Sequence, residues 1–255
     1  MMLNYYLILL CALLSIELNG QNSDLEIQRL LECAKTEAEV NKTEALECCN
    51  KGIFEAQKKN EKLLLAELFY TKAQIYDHYA LYDSSFMCYQ LAAPLFVTLK
   101  DSLKTAKCFI NIGVTHYYYG RYDSALVAYS QASYFLANSN DTLLPAKVFI
   151  NLGLVNKSLG KYTNAIVNFQ NAINLLEKTE HELSLANAYF NTGILYWEQK
   201  NLDKALENFN FSNKIYTRLN SVEDIANTFN NIGLVYTSLS DTTKSLQYFD
   251  KAIEN

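Results

Sequence analysis

Half of the 255 residues are hydrophobic and two are proline, a composition that folds rather than one that stays disordered. A formal charge of −5 and a pI near 5.3 argue against nucleic acid as a partner. No Gly/Ser- or Pro-rich linker and no long charge block interrupts residues 25–255, so no domain boundary is expected there.

The chain opens on an apolar run from Tyr5 to Ile16, broken by Ser15 and ended by Glu17. As a helix the run would rise about 18 Å, short of the ~30 Å hydrocarbon core of a bilayer. It reads as a secretory signal peptide over residues 1–20, cleaved after Gly20, and not as a stable membrane span. The mature chain, 21–255, is then expected to be exported to a periplasmic or extracellular space.

Beyond it one phrase returns at a fixed interval. Asn111, Asn151, Asn191 and Asn231 each stand two residues before a glycine, at Gly113, Gly153, Gly193 and Gly233. Twelve residues past each glycine is a small residue (Ala125, Ala165, Ala205, Ser245), and four further on a ring (Tyr129, Phe169, Phe209, Phe249). Three beyond the ring is another small residue: Ala132, Ala172, Ser212 and Ala252. The phase extends upstream through Ala73, Ser85, Tyr89 and Ala92, and again through Cys33, Ala45, Cys49 and Gly52. A period in this range signals stacked supersecondary units. Six are read, at about 25–64, 65–104, 105–144, 145–184, 185–224 and 225–255, the last cut short.

Within a unit the apolar spacing is helical. In the third, Phe109, Ile112, Gly113 and His116 follow steps of three and four, as do Tyr122, Ala125, Tyr129 and Ala132. Gly120 and Gly160 lie where a first helix should end in a left-handed cap, and Asn138–Asp141 offers an N-cap for the next unit. Each unit is therefore a pair of antiparallel helices, about twelve in all. The glycine of one helix faces the alanines of its partner, and the ring fills the space above.

Removal of Cys11 with the leader leaves Cys33, Cys48, Cys49, Cys88 and Cys108. An odd number at irregular spacing suggests no disulfide framework. Cys33 and Cys49 occupy facing phases, so either they bridge or all five are small buried hydrophobes; the sequence leaves the disulfide state open. No CxxC pair supports a zinc or thioredoxin-type site.

The order Leu/Ile-Gly, Tyr, Ala, Phe/Tyr, Ala resembles the tetratricopeptide repeat, across residues 25–255. The usual unit has 34 residues, and the proline that usually closes its second helix is absent, with Val97 and Ala137 at two of the places. The longer unit is similar to that of kinesin light chains and of bacterial receptors for signalling peptides. The resemblance implies an all-α solenoid, a right-handed superhelix whose first helices line a concave groove.

No catalytic motif is present: no phosphate-binding glycine loop, no HExxH and no GxSxG. His78, His116 and His181 lack ligand spacing, and His116 replaces a core tyrosine. Neither an enzyme nor a cofactor is expected. Asn41, Asn140 and Asn156 each begin a glycosylation sequon, the last in a core phase.

The asparagines are the better lead. At 100° per residue, a position two before the glycine lies about 160° around the helix from it. Lys107, Val114 and Tyr118 share this arc with Asn111; Lys147, Leu154 and Ser158 share it with Asn151. In the next units the arc holds Asn187, Ile194 and Glu198, then Asn227, Leu234 and Ser238. A carboxamide carries donors and an acceptor, and so can hold the N–H and C=O of an extended peptide. In similar arrays asparagines at this phase do hold peptide main chain. The resemblance gives that role to Asn111, Asn151, Asn191 and Asn231, with Thr71 breaking the ladder upstream. Lys107 and Lys147 are candidates for a ligand carboxylate, and Tyr118 for a stacking contact; Tyr117 and Trp197 lie nearer the core side.

The expected function is a non-enzymatic scaffold for an extended peptide or partner protein. The alternative is the sensor region of a truncated bacterial signalling protein, a histidine kinase or transcription regulator. That alternative draws on the bare last helix, which also offers a surface for self-association.

Overall fold

A computed structural model describes residues 24–254, so the leader expected at 1–20 lies outside the described residues. These form helices α1 (24–37), α2 (Lys42–Lys59), α3 (Lys62–His78), α4 (Tyr82–Thr98), α5 (Ser102–Tyr118) and α6 (Tyr122–Leu136). There follow α7 (Leu143–Ser158), α8 (Tyr162–Leu176), α9 (Glu182–Glu198), α10 (Leu202–Arg218), α11 (Val222–Ser238) and α12 (Thr242–Glu254). No strand occurs among the described residues. The fold is all-α, an α-solenoid of successive helix hairpins. Two helices of 17 residues with a three-residue turn after each account for the forty-residue period, as in α3 and α4. The extra length over the usual unit thus sits in the helices. The chain divides into two compact units, at Thr115 and His116 within α5.

The first unit packs α1 on α2 and α3. Ile27, Leu31, Ile53, Ala56 and Leu68 form one buried cluster, and Ala34, Ala45, Cys49 and Ile75 another. Tyr89 is buried on α4 and donates its hydroxyl to Asp77 at 2.6 Å. A disulfide joins Cys33 of α1 to Cys48 of α2, with Cα atoms 6.2 Å apart. The bridge therefore goes to Cys48, a partner that phase did not single out, and not to Cys49, which phase permitted. Cys49 is turned into the second cluster and fully buried, whereas Cys48, about 100° around the helix, is half-buried beside Cys33. Cys49, Cys88 and Cys108 are buried thiols, as small hydrophobes should be, and burial pushes the Cys49 and Cys108 thiols up to about 12.

In the second unit the phase of glycines and rings becomes physical contact. A Cβ on Gly153 would lie 2.5 Å from the ring of Phe169, on Gly193 2.7 Å from Phe209, and on Gly233 2.6 Å from Phe249. Each ring rises from the second helix of a unit onto the bare backbone of the first. Ala165, Ala172 and Ala205 on those second helices are fully buried. Close approach is thus written into the sequence twice, by the missing side chain and by the small ones opposite.

The turns repeat as well. Gly120 and Gly160 hold φ of 67° and 70°, the left-handed cap expected of them. At the same phase Ala80, Lys200 and Ser240 adopt φ of 55°, 61° and 60° without being glycine. Each turn is closed by an N–H reaching back five residues, such as Lys161 to the Asn156 carbonyl at 2.8 Å and Asn201 to Tyr196 at 2.9 Å. These are Schellman bonds, which satisfy the last carbonyls of the helix. Before α7 the N-cap position falls on Thr142, one residue past the Asn138–Asp141 stretch, while Asp141 accepts from the Leu144 N–H at 2.8 Å.

Two predictions follow from this packing. Gly193→Ala should cost about 1–3 kcal/mol, the usual penalty for overpacking a full core. Asn191→Ala, on the opposite side of α9, should leave the urea midpoint nearly unchanged. Equal losses from the two would mean that α9 is not oriented by Phe209. Reducing the disulfide removes the constraint on a 15-residue loop and should lower stability by roughly 3 kcal/mol. The reductant-dependent shift in thermal unfolding should vanish in Cys48→Ser and persist in Cys49→Ser.

Candidate functional site

With the glycine of each first helix pinned under a ring, the residue two places earlier turns away from the partner helix. In the second unit this applies to α7, α9 and α11, which pack in succession, α7 against α9 and α9 against α11. Asn151, Asn191 and Asn231 are half-buried there, neither in the core nor fully solvated. In the first unit Asn111 is half-buried at the same phase of α5, and its carbonyl accepts from Thr115 Oγ1 at 3.1 Å.

None of the four amides bonds another helix among the described residues. The Nδ2 of Asn191 donates to the carbonyl of Asn187 at 2.8 Å, and that of Asn231 to Asn227 at 2.8 Å. Each of these two side chains is thereby laid along its own helix, with its Oδ1 unclaimed. Lys107 and Lys147 are exposed and form no ion pair among the described residues. Tyr118 is 73% exposed, its ring edge-on to Tyr117 at 5.9 Å.

The lower end of the strip has another use. Ser158 donates to the Tyr117 hydroxyl at 3.5 Å, Lys157 pairs with Glu198 at 3.3 Å, and Trp197 Nε1 donates to Ser238 at 3.1 Å. In every case the residue four past the glycine phase meets the residue five past it in the next unit. These rungs tie successive first helices together near their C-terminal ends. Ser158, Glu198 and Ser238, which share the asparagine arc, are thus engaged with neighbouring helices. Tyr117 and Trp197 serve the same rungs. Regular spacing pointed to the positions, but only the neighbour's side chain revealed the bond.

One further contact escaped the sequence. Tyr216 of α10 is 2% exposed and donates its hydroxyl to Asn187 Oδ1 at 2.6 Å. At the equivalent positions in this unit stand Leu136 and Leu176, which have no hydroxyl. The only available signal was a tyrosine in a leucine phase.

Nothing in the described residues assembles an acid/base or metal constellation, and no group of three His, Cys, Asp or Glu could hold a metal ion there. His116 is half-buried, and burial, with Arg121 nearby, lowers its pKa below the usual imidazole value. No helix among the described residues is long and apolar enough to cross a membrane. Asn156, the core-phase sequon, is buried with its amide on the Leu152 carbonyl at 2.8 Å.

Models of the tetratricopeptide repeat match residues 144–218 and 226–255. The chain is a tetratricopeptide-repeat protein. No curated protein matches it. Among solved structures, BtubC from P. vanneervenii is 20% identical, with a TM-score of 0.69 over 89% of this chain and 90% of that one. The signal-transduction ATPase PH0952 from Pyrococcus horikoshii, which has a tetratricopeptide repeat sensor, is 15% identical with a TM-score of 0.77. That match covers 90% of this chain and 36% of that one. YrrB, a repeat protein with an unusual peptide-binding site, is 21% identical with a TM-score of 0.52, over 81% and 91% of the two chains. At such identities these structures bear on the fold alone. The fold is compatible with protein–protein interaction scaffolding.

Proposed function

We propose that this repeat protein is a non-enzymatic interaction module that takes an extended peptide, or an extended segment of a partner protein, along its asparagine strip. The observation that carries the reading is the state of Asn151, Asn191 and Asn231. They occur at one phase of consecutive first helices, half-exposed, with no bond to another helix among the described residues. A core asparagine would be tied up across the interface, and a purely solvated face would not place the same carboxamide every forty residues. Packed helices lie about 8–10 Å apart and an extended chain rises about 3.3 Å per residue, so each unit meets roughly three ligand residues. Lys147, one helical turn before Asn151, forms no ion pair among the described residues, and in the first unit Asn111 and Lys107 hold the same phase of α5. Tyr118 adds an exposed ring to the same arc.

The peptide-binding site of YrrB lends this reading support by likeness of fold. The apolar leader and the Cys33–Cys48 disulfide favour an oxidising, exported setting. A second reading, the sensor portion of a larger signalling protein, draws on PH0952, where a repeat array of this kind is the sensor of a longer chain.

The test is affinity capture from the exported fraction with the parent chain and Asn151→Ala/Asn191→Ala. Loss of two hydrogen bonds of about 1 kcal/mol each should weaken capture roughly thirty-fold, with helical content unchanged. Equal capture by the double variant would discard the strip.

A further inference from the structure

We infer that Tyr216 is a positioning residue: its buried hydroxyl fixes the Asn187 carboxamide so that Asn187 and Asn191 form a donor–acceptor pair for one residue of an extended main chain. The inference rests on the strip being the binding surface and says which part of it is prepared for a ligand, and in what polarity.

Two bonds at α9 set the polarity of the pair. Tyr216 donates to Asn187 Oδ1 at 2.6 Å, which commits the oxygen of that amide and leaves its NH2 facing away from the hydroxyl. Asn191 donates Nδ2 to the Asn187 carbonyl at 2.8 Å, which commits its nitrogen and leaves its Oδ1 unclaimed. Residues four apart on a helix sit about 5–6 Å apart at Cβ. The pair therefore offers one donor group and one acceptor side by side, each held by a separate bond. The N–H and C=O of one residue in an extended chain point to the same edge, as in the bonded pairs of an antiparallel ladder. Asn191 Oδ1 suits that N–H, and the Asn187 amide suits that C=O.

Freely rotating amides would lose this polarity, since an asparagine can present either end. Tyr216 is packed with Ala186, Ile215 and Ile225, so its hydroxyl is carried by a rigid ring. In the preceding unit Lys147 stands in the phase of Asn187 and Leu176 in the phase of Tyr216, so neither half of the device exists there. The ligand class is accordingly a neutral main chain, recognised at this step without a charged group.

The probe is a blocked tetra-alanine peptide, titrated into the full ¹⁵N-labelled chain while the side-chain amide signals of Asn187 and Asn191 are followed. Both should shift in the parent. Tyr216→Phe keeps the core ring and should weaken binding about five-fold, the worth of one neutral hydrogen bond, and should move the Asn187 signal before any probe is added. Asn187→Asp keeps the acceptor for Tyr216 but has no NH2, and should weaken binding by at least as much. An analogue with an ester in place of each internal N–H should bind more weakly to the parent as well. Parent-like binding by Tyr216→Phe, with loss in Asn187→Ala, would overturn the role of Tyr216 and leave the strip standing. Parent-like binding by both Asn187→Ala and Asn191→Ala would overturn the inference together with the strip.

Discussion

The structure depends on how closely two helices can approach when one carries no side chain at the crossing. At Gly153, Gly193 and Gly233 an added Cβ would fall inside the van der Waals envelope of a phenylalanine ring. The ring has nowhere to retreat, because Phe169 and Phe209 are fully buried. Close packing of this kind fixes rotation as well as distance, since turning the first helix would drive a larger residue into the ring. Once rotation is fixed, the opposite arc of the helix is fixed too, and an asparagine two residues before the glycine has no choice of direction. The outward strip is therefore a consequence of the core and needs no separate device to orient it.

What the strip then does is divided along its length. Near the C-terminal ends of the first helices, side chains are engaged from unit to unit: Tyr117 with Ser158, Lys157 with Glu198, and Trp197 with Ser238. These are exposed contacts, each worth little alone, but they recur in register. Further along, the amides bond only within their own helix or, at Asn187, to the tyrosine beneath. One end is thus spent on holding neighbours together, while the middle keeps donors and acceptors unsatisfied by protein. Binding energy is more readily drawn from groups that are oriented yet unclaimed, because less freedom is lost when the ligand arrives.

How far the sequence carried this account follows from what a period encodes. Every property that repeats was legible: the hairpins, the ring over the glycine, the left-handed caps at Gly120 and Gly160, and the asparagine phase. Properties set by a single pair of side chains were not. The ring phase of Cys49 permits a bridge to Cys33 without requiring one, yet Cys49 turns into the core and the half-buried Cys48 takes the bond. Ala80, Lys200 and Ser240 hold φ values that glycine would favour, because the turn geometry of the repeat overrides local preference. Tyr216 was unreadable for the same reason as the rungs: its meaning lies in a hydroxyl meeting an amide from another helix.

The central claim is that the asparagine phase faces outward because the glycine phase cannot turn. The most direct measurement is the native-state rate at which a maleimide labels a cysteine placed at Asn191, compared with the buried native thiols Cys49, Cys88 and Cys108. The introduced thiol, half-exposed on the outward face, should react in the native state far faster than the three native thiols, which wait for unfolding. An introduced thiol as protected as Cys108 would contradict that claim.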